Sequence, residues 1–455
     1  MSKKERSNPT SQTSSPTSHS TDDPFSGLKR LEHRSDPLAG LRELGDRIEH
    51  APSRRRAHGS RHGTRRRWKA IIITAVTIAV VGAGLVAGEY GYVQWKLSQI
   101  KSVKCRSCKS TAPGKAFNVL VVGSDSRVGD TGSAAHSFGS ASQVGGQRSD
   151  TIKIVHVDPA AGVAKVLSIP RDTLVSLSGM PASSGLSTKN KINTAFDDGI
   201  EPLVQTIQNT LGIPINHYVT IDFSGVINLV NAVGTISLDF PFPARDDDDG
   251  NNNSGLQITQ PGCQSLNGNV ALALARSRFY QYYENGSWHS DPSSDLGRIE
   301  RQNIVISAII DKAKGDLNPI DLNRVLGALV GDITKDPPLS GNDLISLATK
   351  YHAFSGSSLQ TWTLPTTGVM TSDYGDVETV QEPQAEQTIT QFLGSAAPLP
   401  LTTPPLDGNG NPQAASVTAT TPTVAATPSS PKPGTAAAPT TVPLASPANF
   451  DPTVC

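Results

Sequence analysis

The chain has 455 residues, more than one ordinary domain needs, and aromatic residues make up only 5% of it, so no single core spans the whole length. The formal net charge is zero, which excludes an overall basic nucleic-acid binder. That zero is a sum of opposites, since residues 1–69 hold 16 Lys/Arg against 8 Asp/Glu and the remainder holds 24 against 32.

Residues 1–69 read as a basic cytoplasmic tail, rich in Ser and Thr over 7–21 and too polar to fold. No residue from Ala70 to Gly88 is charged. As a helix this run reaches ~28 Å, the thickness of a bilayer core, and it predicts one transmembrane helix over 70–92. Arg54, Arg55, Arg56, Arg61, Arg65, Arg66, Arg67 and Lys69 precede it with no acid among them, and Tyr90, Tyr92 and Trp95 follow. The positive-inside rule then gives a single-pass protein of the cell membrane, N-terminus cytoplasmic and the rest extracytoplasmic. The same rule accounts for the arginine run, so no nucleic-acid partner is expected.

Residues 93–115 read as an extracytoplasmic linker. Its Cys105-x-x-Cys108 pair lacks two further ligands for zinc and fits a disulfide of an oxidising compartment. Cys263 and Cys455 show no readable pairing. Residues 116–395 carry the periodic patterns of a globular domain. Strands are predicted over 117–122, 151–157, 163–169, 218–223, 235–240 and 359–364. Helices are predicted over 202–211, 223–233, 267–277, 296–313, 322–333 and 342–354. Such interleaving implies an α/β fold, a layered α-β-α sandwich around a mixed sheet. His156 and His217 read as packed, hydrogen-bonded residues. Asp246 to Asp249, followed by Gly250 and three Asn, read as a solvated loop. Residues 396–455 hold 13 Pro and 3 Gly and read as an extended Thr/Pro/Ala-rich tail.

No P-loop, nucleophile elbow or H-E-x-x-H is present. Charge gathers instead at strand ends and on two helices: Ser124-Asp125-Ser126-Arg127, Arg148-Ser149-Asp150, Arg171-Asp172, Lys189-Asn190-Lys191, Arg276-Ser277-Arg278, and Asp295 to Gln302. Ligand sites of open α/β sheets lie at strand ends. Arginine presents a planar fork that matches phosphate oxygens two at a time. Mg²⁺ commonly uses one or two carboxylates plus substrate phosphates. Asp295, Arg298 and Gln302 recur at helical spacing and share a face, with Glu300 and Arg301 pointing elsewhere. Each cluster alone also suits surface ion pairs; together they suit a metal-bound diphosphate.

The blocks NVLVVGSDSR (118–127), RSDTIKIVHVDP (148–159), VLSIPRDTLV (166–175), KINTAF (191–196), HYVTIDFSGVINLVNAVGTI (217–236), GCQSLNGNVALALARSR (262–278) and DLGRIERQ (295–302) resemble, in order, the LytR–CpsA–Psr family of cell-envelope proteins. The resemblance covers residues 116–395. It implies a phosphotransferase that moves a glycopolymer from a polyprenyl diphosphate carrier onto peptidoglycan with Mg²⁺ (or Mn²⁺), the carrier lipid lying in an apolar tunnel. It implies metal ligands Asp125 and Asp150. Arg148, Arg171, Arg276, Arg278 and Arg298 would bind the diphosphate with Arg127, while Asp172, Lys191, Asp295 and Gln302 complete the site. A non-catalytic diphosphate-binding scaffold and a lipid diphosphatase need the same arginines and remain open at this stage. Three departures stand out: a Gly/Ser-rich stretch between Arg127 and Arg148, an insertion over 279–294 with Tyr280, Tyr282, Tyr283 and Trp288 placed for a glycan acceptor, and Asp239 where relatives often carry a cysteine partner for Cys263.

Overall fold

The computed structural model describes residues 88–124, 149–185, 187–314, 319–351, 354–394, 398–413 and 448–455. The expected cytoplasmic tail lies outside these, as does the predicted membrane span except for its last five residues. Those begin a helix, α1 (88–98). Among the described residues no helix is long and apolar enough to cross a membrane.

Seven strands make the central sheet: β1 (Lys101–Ser102), β2 (Phe117–Ser124), β3 (Ser149–Asp158), β4 (Val163–Ile169), β5 (His217–Ile221), β6 (Ile333–Lys335) and β7 (Gln360–Thr363), in the order β1-β6-β5-β2-β3-β4-β7. The sheet is mixed: β2 runs parallel to β5 and antiparallel to β3, while β7 is parallel to β4. Alternation along the strands divides its two faces. Leu120, Val122, Ile152 and Ile154 join one core with α2 (Ile200–Leu211), which contributes Leu203 and Ile207. Val121, Gly123, Thr151 and Lys153 line a cavity on the other face. That cavity is closed by α3 (Phe223–Val233), α4 (Gly268–Arg276) and α5 (Asp295–Ala313). Three further helices follow, α6 (Pro319–Asp332), α7 (Gly341–Tyr351) and α8 (Gln384–Leu393), of which α8 adds Ile389 and Phe392 to the α2 side. The α/β architecture with helices on both faces is therefore as expected.

Both histidines are packed and bonded. The His156 ring meets Asn118 Oδ1 at 2.8 Å, and the His217 ring meets Asp336 Oδ2 at 2.8 Å. The segment expected as a linker is built into the fold: Leu97 and Ile100 are buried, β1 joins the sheet edge, and Cys105 is bonded to Cys108.

The expected tail departs most. Cys455 is bonded to Cys263, and Thr453–Val454 pairs with Ile236–Phe240, the strand that carries Asp239. Phe450 stacks on Tyr282 with ring centroids 4.5 Å apart. Residues 398–413 of the expected tail are also held, with Leu406 buried against Leu174 and Val377 and the Thr402 N–H donating to the Asn209 carbonyl at 3.1 Å. Composition argues against folding, but short segments need little core of their own when a disulfide, a ladder or a neighbouring core already holds them.

Candidate active site

The cavity has a volume of about 540 Å³ and two kinds of lining. Ile221, Phe223, Val226, Leu229, Leu272, Val305, Ile306 and Ile309 supply apolar walls, whereas Asp150, Arg171, Arg276, Arg278 and Arg298 bring charge. Local sequence explains the division. The apolar residues of α3 and α5 recur at three- and four-residue intervals, so each helix turns a stripe inward. The charges stand at the end of β3, in the turn after β4, and where α4 ends and α5 begins.

Asp150 opens β3 and accepts a hydrogen bond from Arg171 Nη1, from the turn that follows β4. Asp172 beside it forms an ion pair with Lys191 Nζ, 3.1 Å from its Oδ1, and lies 3.5 Å from Arg171 Nε. On α5, Arg298 reaches its own first turn, with Nη2 2.9 Å from Asp295 Oδ1, and also donates to the Asp150 carbonyl at 3.3 Å. Arg278 Nε stands 3.2 Å from the same Asp295 oxygen. Gln302 Nε2 donates to the Ala275 carbonyl at 3.2 Å, one turn of helix from Arg298. The Arg276 guanidinium lies 4.6 Å above the Phe223 ring. Asp150, Arg171, Arg276, Arg278, Asp295, Arg298 and Gln302 are thus one constellation, with the Asp172–Lys191 pair behind Arg171. Arg298 is 4% exposed and its Nε has no hydrogen-bond partner among the described residues, a donor held out of water. Burial lowers its pKa, opposed by the Asp295 carboxylate. Asp125, Arg127 and Arg148 lie outside the described residues.

Three residues of this region were not legible as site members. Arg301 is fully buried and donates to Asp291 Oδ2 at 2.8 Å, to Asp451 Oδ1 at 2.9 Å and to the Ser277 carbonyl at 3.2 Å. It fastens the residue between Arg276 and Arg278 onto α5. Gly297 makes room, since a Cβ there would fall 2.0 Å from Asp291 Oδ2. Lys153, in the cavity wall, donates to Ser168 Oγ and Asn303 Oδ1 at 2.7 Å each. Burial drives its ammonium down to about 7. Asp246, expected in a solvated loop, is buried in the cavity wall, and neither carboxylate oxygen has a hydrogen-bond partner among the described residues. It ends a strand that pairs with Tyr280, next to Phe279 and Arg278.

Among the described residues no group of three or more His, Cys, Asp or Glu is placed to hold a metal. Asp150 does face the cavity, and one carboxylate is compatible with a Mg²⁺ held mainly by substrate phosphates.

The family model LytR_cpsA_psr matches residues 90–392. The polyisoprenyl-teichoic acid–peptidoglycan teichoic acid transferase TagV of Bacillus subtilis is 36% identical over 179 residues, 39% of this chain and 42% of that protein. The probable cell wall biosynthesis protein LcpB of Corynebacterium glutamicum is 31% identical over 315 residues, 68% of this chain and 69% of that one. The polyisoprenyl-teichoic acid–peptidoglycan teichoic acid transferase TagU of Enterococcus faecalis is 32% identical over 299 residues, 64% of this chain and 84% of that one.

Proposed function

The chain belongs to the LytR_cpsA_psr family, and from that premise we infer that it attaches a glycopolymer, carried on a polyprenyl diphosphate, to peptidoglycan. The observation that carries this reading is the mixed lining of one cavity: arginine forks beside apolar walls suit a ligand with an anionic head and a hydrocarbon tail. The names of TagV and TagU, both peptidoglycan transferases using a polyisoprenyl carrier, support it.

In this mechanism Arg171, Arg276, Arg278 and Arg298 bind the diphosphate, joined by Arg148 and Arg127. Asp295 holds Arg278 and Arg298 in orientation, Asp172 and Lys191 brace Arg171, and Gln302 ties α5 to the end of α4. A hydroxyl of peptidoglycan attacks the phosphorus next to the glycan. The new P–O bond forms as the bridging P–O bond breaks, the bond's electron pair and the hydroxyl proton go to the lipid phosphate, and it leaves as the lipid monophosphate. The arginines stabilise charge that grows on the phosphoryl oxygens, where a fixed, water-poor site is worth most. Asp150, with Asp125, would hold Mg²⁺ (or Mn²⁺), which when bound supplies further neutralisation of the diphosphate. The two disulfides and the basic flank before residue 70 support an extracytoplasmic domain on a single-pass membrane anchor.

The test is transfer of labelled glycopolymer from its polyprenyl diphosphate to peptidoglycan by the full chain. Arg171→Ala is expected to lower the rate at least a hundredfold, with the thermal transition kept. Transfer at the wild-type rate would remove Arg171 from the site.

A further inference from the structure

Beside the cavity rim a second, four-stranded sheet runs in the order Gln257–Ile258, Ala244–Asp246, Tyr280–Glu284, Ser287–Ser290. Directly opposed residues share a face. Tyr282 opposes and stacks on His289, which is exposed, and on the same face it stacks on Phe450. Gln281 opposes both Arg245 and Ser290, and Tyr283 opposes Trp288, so these five residues share the outer face.

That outer face is unusually ordered for a surface. Trp288 and Tyr283 are 39% and 40% exposed, with ring centroids 5.3 Å apart. The Arg245 guanidinium lies 4.1 Å from the indole centroid and braces the ring from one side. Arg245 is itself clamped, by Asp247 Oδ2 at 2.7 Å and by Gln281 Oε1 at 3.0 Å. An indole fixed in this way while exposed gains little for folding and is pre-organised for a ligand. The face is continuous with the site: Asp247 N donates to the Phe279 carbonyl at 2.9 Å, and Phe279 lines the cavity one residue after Arg278.

We propose that this face is a saccharide platform that seats the glycan strand of peptidoglycan, the acceptor, beside the cavity. The inference rests on the transferase reading and supplies its acceptor subsite. Pyranose rings present C–H faces that stack on Trp and Tyr, and hydroxyls that pair with planar guanidinium, carboxylate and amide groups. This face offers both sets, with the Arg245 charge already balanced by Asp247. The donor is anchored elsewhere, by its diphosphate on the arginines and its lipid in the apolar cavity. The acceptor lacks those handles and needs its own surface to bring a hydroxyl to the phosphorus.

The experiment uses the full chain with Trp288→Ala, Tyr283→Ala and the conservative Trp288→Phe. Binding to soluble peptidoglycan glycan fragments is measured without donor, and KM for acceptor and donor is measured during transfer. Trp288→Ala is expected to weaken fragment binding and raise acceptor KM roughly three- to tenfold, the range of one aromatic stack. Trp288→Phe should recover much of this, and the donor KM and the thermal transition should hold. Unchanged fragment binding and acceptor KM would overturn the platform. So would a rise in donor KM alone, which would assign the face to the glycopolymer being transferred. Fragment binding lost in the variant of a chain that transfers nothing would keep the platform and sink the transferase.

Discussion

Lys153 and Asp246 are both buried in the cavity wall, and each gives a test. Burial lowers the Lys153 pKa from the ordinary lysine value to about 7, against the pull of Glu300, whose own pKa burial raises. Between these two values the unfolded chain binds a proton that the native chain does not, so stability rises with pH. The penalty is complete below about pH 7 and is relieved as pH climbs toward ~10. Lys153→Met removes it. The denaturation midpoint of the wild type should therefore gain on that of Lys153→Met between pH 7 and 9.5; parallel pH profiles would contradict the buried ammonium. The Asp246 carboxylate has no hydrogen-bond partner among the described residues. Asp246→Ala is expected to keep or raise stability, by up to ~2 kcal/mol, while transfer falls. A carboxylate kept for structure would give the reverse, a lower midpoint with transfer preserved. Sequence placed the arginines and Asp150 because charge at strand ends is conspicuous. It did not place Asp246, which sits in a run of four aspartates where nothing marks the one that turns inward.

At the scale of elements, the site depends on how the start of α5 is fixed. Arg301 joins three separate stretches: Asp291 in the loop before α5, Ser277 between the site arginines, and Asp451 near the end of the chain. Burial raises the Asp451 pKa, against the pull of Arg301. Asp451→Ala leaves Arg301 buried with half of its countercharge, and should cost about 2–4 kcal/mol and slow transfer. Circular dichroism on denaturation checks the first and the glycopolymer assay the second; no change in either would mean that the terminal segment only covers the core. Replacing Cys263 and Cys455 together by Ser should cost about 2–5 kcal/mol, since the bond links residues 192 apart. None of this clamp was legible, because its partners are distant in sequence and the terminal composition is that of an unfolded tail. Where the pattern was local, reading succeeded. β4 and α3 have the expected bounds, the first from a mostly apolar run interrupted only by Lys165 and Ser168, the second from a period framed by Asp222, which caps Gly225 N at 2.8 Å, and Gly234 in the left-handed region. The hairpin of Tyr280–Glu284 and Ser287–Ser290 was read only as an insertion, although Asn285-Gly286 at its tip is a strong two-residue turn signal.

The molecule as a whole has an α/β domain of the LytR_cpsA_psr family, with arginines and apolar side chains lining one cavity, after an expected membrane anchor. The scaffold and diphosphatase alternatives share the arginines, so binding alone does not separate them from transfer. Products do. The decisive measurement gives the full chain, in detergent with Mg²⁺, a polyprenyl diphosphate glycopolymer labelled in the sugar, with and without peptidoglycan. The account predicts label in peptidoglycan together with one equivalent of polyprenyl monophosphate, both dependent on the acceptor and both lost in Arg171→Ala and Arg298→Ala. Monophosphate released equally without peptidoglycan, or donor bound and never consumed, would contradict it.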